Sequence, residues 1–210
     1  MMNNRKTARI VLNYIGRNTI ATDRFLPIRD RDRAMATIER LLDSQRISQW
    51  THNSGLRYWT RPSRRPLSDR SLVRSLGILS FCRQVASRSV LTRNDIRDYF
   101  PQLVRHGLPG GYYFERSVCL PRLGHVRVES SSRISRIVAR TLKIIDQHRL
   151  HPGFRELIDG DRFDLTWIVA TPAKQRRLTQ ALRSVPASGV YPHVCSIPAL
   201  IDLLAPLPPT

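Results

Sequence analysis

Glu129 stands near the middle of "GHVRVESSSRISRIVARTLKII", residues 124–145, where a short alternating run passes through three serines into a basic helix. A carboxylate at a strand end can ligate a divalent cation for phosphodiester chemistry. Period two along the strand sets Arg127 on the same face as Glu129, with Val126 and Val128 opposite, so an Arg127–Glu129 ion pair is the expected state. His125 and His148 have no ligand spacing to another His, Cys or Asp, and Cys82, Cys119 and Cys195 form no CxxC pair, so neither zinc nor a disulfide framework is expected. Gly107, Gly110 and Gly111 in "GLPGGYYF" lack the spacing of a phosphate loop and read as a turn into a strand that holds Tyr112 and Tyr113.

The elements that carry these groups belong to a strongly cationic chain. Of 210 residues, 35 are basic and 16 acidic, a formal charge of +19, and the lysines are only Lys6, Lys143 and Lys174. Arginine's planar fork holds phosphate or a guanine edge in a bidentate way, where lysine acts as a point charge. A polyanion is therefore the expected partner, nucleic acid ahead of a membrane surface. No signal-peptide pattern opens the chain and no run approaches 18 apolar residues, so a cytoplasmic protein without membrane attachment is expected.

Residues 1–62 read as three helices and a hairpin. Ile10, Val11, Tyr14 and Ile15 stripe the first helix; "TIATDRFLP" suggests a short second one, capped by Thr22 and ended at Pro27; Ala34, Ile38, Leu41 and Leu42 stripe a third. Asn53-Ser54-Gly55 then marks a tight hairpin. That order is a winged helix-turn-helix, whose third helix would enter the major groove with Arg31, Arg33, Thr37 and Arg40 as base readers. Arg29 before it, His52, Asn53 and Arg57 on the wing, and Arg61, Arg64 and Arg65 in the linker "TRPSRRPLS" would contact duplex DNA around them.

Residues 68–206 read as helix, helix, strand, strand, helix, strand, helix, strand, helix, an α+β or α/β unit with a mixed sheet. Ser68 and Thr92 are expected to open the first two helices, and Thr171-Pro172 the fourth. "PRLG" is expected to join the first two strands, "APLPPT" to be disordered, and Arg133, Arg136 and Arg140 to form a basic helix face.

A winged helix ending "RLLDSQRISQWTHNSGLRYWT", followed by "YYFERS", "VRVESSSRISRIVARTLKI" and "FDLTWIVATPAKQRRLTQAL", resembles the plasmid replication-relaxation proteins. The resemblance implies a second half related to the restriction-endonuclease-like fold and a role at the origin of a plasmid or integrative element, beside a relaxase or replication initiator. In that fold two carboxylates on adjacent strands hold Mg²⁺ beside a lysine. The matching carboxylates would be Glu115 and Glu129, but Ser131 stands at the lysine position, with Lys143 of the following helix as a substitute. The leading expectation is thus a non-catalytic double-stranded DNA-binding protein, without cofactor and open to homodimerisation. The alternatives are a Mg²⁺-dependent endonuclease using Glu115, Glu129 and Lys143, and a winged-helix transcriptional regulator.

Overall fold

A computed structural model describes residues 4–63, 65–106, 108, 110–116, 120–129, 133–183, 185, 189–190 and 192–201. Arg64, Cys119, Ser131 and the segment "APLPPT" lie outside the described residues. The chain divides into two compact units, Met1–Leu79 and Ser80–Thr210, and the division falls within a helix, Asp69–Arg83. Both units mix helices with a sheet, one sheet of three antiparallel strands and one of five mixed strands.

The first unit holds α1 (Asn4–Asn18), β1 (Ala21–Thr22), α2 (Arg31–Asp43), β2 (Ser48–Thr51), β3 (Arg57–Thr60) and the start of α3 (Asp69–Arg83). The expected second helix is absent as such. Ala21 and Thr22 pair instead with Trp59 and Tyr58, and only a single 3-10 turn, Asp23–Phe25, follows. Leu26 precedes Pro27 and is extended (ψ 146°), as the proline ring demands, so no second turn can form. Asp30 caps α2 by accepting from the Arg33 N–H at 3.0 Å. Val11 and Ile15 of α1 meet Ala34, Ile38 and Leu41 of α2 over Trp59, all buried. The strand order β1-β3-β2 places β3 in the middle.

The hairpin turn forms where Asn53-Ser54-Gly55 marks it. Gly55 adopts φ +81°, a conformation that favours glycine, and the His52 N–H donates to the Leu56 carbonyl at 2.9 Å.

The second unit's sheet runs β4 (Arg88–Val90), β5 (Tyr112–Glu115), β6 (Arg122–Glu129), β7 (Phe163–Val169), β8 (Pro192–Ser196) in that spatial order. The first three are antiparallel neighbours and the last three parallel, with α5 (Ile134–Arg149) and α6 (Pro152–Asp159) crossing from β6 to β7 and α7 (Pro172–Arg183) from β7 to β8. All seven residues of β7 are buried, as a central strand covered on both faces must be. Its residues Phe163, Leu165, Trp167 and Val169 share one core with Tyr112, Phe114 and Leu123, and with Ile137, Leu157 and Leu178 from the three helices. Between α3 and β5 stands α4 (Arg93–Tyr99), opened by a capping box in which Thr92 and Asp95 bond each other's backbone N–H. Thr171 likewise accepts from the Lys174 N–H at 3.2 Å. The Ser68 hydroxyl donates instead to Ser71 Oγ at 3.0 Å.

Three elements differ from the sequence reading. β4 and α6 were not anticipated, because three residues of strand and eight of helix are too short for a periodic signal. "PRLG" is not a turn, since β6 already begins at Arg122, paired with Glu115.

Candidate nucleic-acid interface

The nuclease-type carboxylate pair does not assemble. Glu115 pairs across the sheet with Arg122, seven residues before Glu129 on β6, which sets the two carboxylates about 23 Å apart along the strand. That odd separation also puts them on opposite faces. Each is held by an arginine: Glu115 takes the Arg88 Nε–H at 2.8 Å and the Ser87 hydroxyl at 3.2 Å, and Glu129 takes the Arg140 Nη1–H at 2.7 Å. The partner of Glu129 is therefore Arg140 on α5 rather than the adjacent Arg127. Sequence spacing could not show this, because the crossing of α5 over β6 decides which of the two guanidiniums reaches the carboxylate. Lys143 lies on the exposed side of α5, a turn beyond Arg140. Among the described residues no group of three or more His, Cys, Asp and Glu side chains could hold a metal ion.

His125 and His148, far apart in the chain, meet with Tyr112 beneath α5. The Tyr112 ring stacks on His125 at 4.4 Å between centroids. His148 accepts Tyr112 Oη–H at Nε2 (2.8 Å) because its Nδ1–H is given to the Ile144 carbonyl (2.6 Å). Burial favours the neutral imidazole and lowers the His148 pKa below the usual 6.5. The unfolded chain takes up that proton more readily, so this stabilisation is complete above pH 6.5 and is lost as the pH falls from there through the folded pKa. The thermal midpoint of wild type should fall on acidification toward about pH 5 more steeply than that of His148→Gln, which can still accept from Tyr112. Identical pH profiles would show that the imidazole plays no such part.

On the first unit, the anticipated base readers divide. Arg31 and Arg40 are exposed and Arg33 is half-buried, but Thr37 is buried and its hydroxyl donates to the Arg33 carbonyl at 2.8 Å. Thr37 therefore cannot read a base. It sits on the same stripe as Ala34, Ile38 and Leu41, and a short polar side chain there satisfies itself on the helix backbone. Opposite that stripe, Asp32, Ala36, Glu39 and Asp43 are all exposed, at successive separations of four, three and four residues. The most outward face of α2 is thus acidic, with arginines only at its flanks.

The wing residues are also partly committed. His52 accepts the Ser54 N–H at Nδ1 (3.1 Å) and its Nε2 lies 3.5 Å from Asp69, so it holds the turn rather than waiting for phosphate. Arg57 makes a bidentate pair with Asp23 (Nη2 to Oδ1 3.1 Å) and lies over the Trp59 ring, tying the hairpin to the 3-10 turn. Asn53, Arg29, Arg61 and Arg65 remain exposed. Arg29, Arg31 and Arg24 line a shallow concavity beside Asp23 at the start of α2.

Two basic helix faces went unremarked in the sequence reading. On α1, Arg5, Lys6 and Arg9 are exposed, Arg17 is half-buried, and the helix has no acidic residue. On α7, Arg176, Arg177 and Arg183 are exposed, again with no acidic residue in the helix. The signal was available: a helical stripe of apolar residues also specifies its opposite face, and reading the charges there would have found both. In the second unit Arg133 and Arg136 are exposed, whereas Arg140 is engaged by Glu129.

Compared with models of known families, with curated proteins and with solved structures, the chain matches none. No helix among the described residues is long and apolar enough to cross a membrane.

Proposed function

We propose that this protein binds double-stranded DNA, with a winged-helix-like first unit making the main contacts and the second unit, a nuclease-like scaffold without an assembled metal site, adding phosphate contacts or a docking surface. The supporting observation is the first unit itself. Two packed helices accompany a sheet of order β1-β3-β2 that includes the β2–β3 hairpin, and residues 1–79 carry sixteen arginine and lysine against six acidic side chains. A charge excess of this size on a small surface favours a polyanion, and release of counterions from the phosphates supplies the affinity. The second unit supports the scaffold reading by its order of antiparallel β4-β5-β6 followed by a helical crossover to parallel β7. Its two candidate carboxylates lie on opposite faces, which leaves the endonuclease reading without its Mg²⁺ pair.

The biological role follows the resemblance: action at the origin of a plasmid or integrative element, beside a relaxase or replication initiator. A fluorescence-anisotropy titration of the full chain against a labelled duplex tests the binding. Affinity should fall steeply with salt, about 0.9 in log–log slope for each phosphate contacted. Binding that is absent, or indifferent to salt, would refute DNA as the partner. Footprinting on the resident element then separates the origin role from that of a promoter-bound regulator.

A further inference from the structure

The geometry points to α1, extended by Arg61, as the helix that lies on the DNA phosphates, with α2 turned away from the duplex; this rests on the DNA-binding reading above and reverses the expected use of the two helices. Both helices bury one stripe and expose another of nearly the same spacing. On α1 the exposed stripe is Arg5, Arg9 and Asn13, continued by the half-buried Gly16, at separations of four, four and three residues, with Lys6 beside it. On α2 it is Asp32, Ala36, Glu39 and Asp43. The two surfaces have the same form and opposite charge.

Gly16 is what lengthens the basic stripe. The Arg61 guanidinium, arriving from the linker after β3, occupies the space that a side chain at Gly16 would fill. The linker thus adds an exposed cation at the end of the α1 row, beside the half-buried Arg17. From Arg5 to Gly16 the row runs about 16 Å along the helix axis, at 1.5 Å per residue. A duplex carries one phosphate per roughly 1.7 Å of its axis with both strands counted, so about ten lie along that length and the helix meets those on the side it covers. Placing Asp32, Glu39 and Asp43 against the same duplex would set three carboxylates among those phosphates, and the repulsion would oppose binding.

A basic amphipathic helix can also lie on an anionic lipid surface, but it does so by burying its apolar face in the bilayer. Here that face, Val11 and Ile15, is fully buried in the unit's own core, so only the charged face is available. A groove of phosphates needs no apolar insertion.

The test uses the full chain and a mixed-sequence duplex. The triple variant Arg5→Gln/Lys6→Gln/Arg9→Gln should weaken binding at least tenfold and reduce the salt slope by about 3, at roughly 0.9 per phosphate contact. Arg61→Gln alone should reduce the slope by about 1. Asp32→Asn/Glu39→Gln/Asp43→Asn should leave the affinity within about twofold, because carboxylates on a helix turned away from the duplex are largely screened from its phosphates. Circular dichroism and thermal melting check that each variant folds, and the α2 triple serves as a matched control for charge removal. If wild type binds, but Arg31→Gln/Arg40→Gln abolishes binding while the α1 triple does not, α2 is the DNA helix and the inference fails with the DNA reading intact. A large gain in affinity for the α2 carboxylate triple overturns it in the same way. If wild type binds no duplex but binds vesicles of anionic phospholipid, both fall together.

Discussion

Replacing Trp167 by alanine is expected to destabilise the second unit by about 4 kcal/mol, the range for removing a large aromatic from a packed core. Trp167 is fully buried on β7, the strand that lies between parallel neighbours β6 and β8. Its indole N–H donates to Thr141 Oγ1 at 2.9 Å, and the Thr141 hydroxyl donates in turn to the Ile137 carbonyl at 2.9 Å. The strand is thereby tied to α5 through two buried polar groups that have no access to water. Alanine opens a cavity and strands one acceptor, and the two costs add because a close-packed interior relaxes only in part. Trp167→Phe keeps most of the volume and loses the hydrogen bond, so it should cost about 1–2 kcal/mol. Urea titration followed by tryptophan-independent far-UV ellipticity measures both. A midpoint for Trp167→Ala within error of wild type would mean that β7 is not the centre of this core.

Gly124→Ala should cost about 3 kcal/mol, at the upper end for adding atoms to a filled core. Gly124 pairs directly with Tyr113 across β5 and β6, and a Cβ at Gly124 would overlap the Tyr113 ring. The tyrosine cannot move aside easily, because Phe81 meets it edge-on at 5.0 Å and it is 2% exposed. A glycine inside a strand is ordinarily a weakness, but here an aromatic fills the face that the glycine leaves bare. The cross-strand contact makes the two positions non-additive. In a double-mutant cycle, Gly124→Ala/Tyr113→Ala should be at least 1 kcal/mol more stable than the sum of the single losses, as for residues in direct contact. Simple additivity would deny the contact.

How much of this was legible in the sequence depended on how local each feature is. The stripes on α1 and α2, the Thr92 and Thr171 caps, and the Gly55 turn each rest on residues within a few positions of one another, and they form where the pattern puts them. The second helix does not form because Ala21 and Thr22 pair with Trp59 and Tyr58 of β3, a partner far off in the chain that no local pattern announces. Thr37 departs for another reason: polarity does not imply exposure, since a threonine can bury its hydroxyl on the preceding turn.

The candidate site shows the same division more sharply. Arginine excess, the absence of a metal-ligand spacing and the amphipathic helices are properties of composition and short-range order, and the sequence by itself determined them. Which arginine neutralises Glu129, on which sheet face Glu115 lies, that Arg57 is spent on Asp23, and that Arg61 reaches Gly16 were decided only by tertiary structure. Each depends on two segments meeting whose separation in the chain leaves no periodic trace. Ion pairs form with whatever partner the packing brings within reach, and the crossing of helices over strands sets that reach.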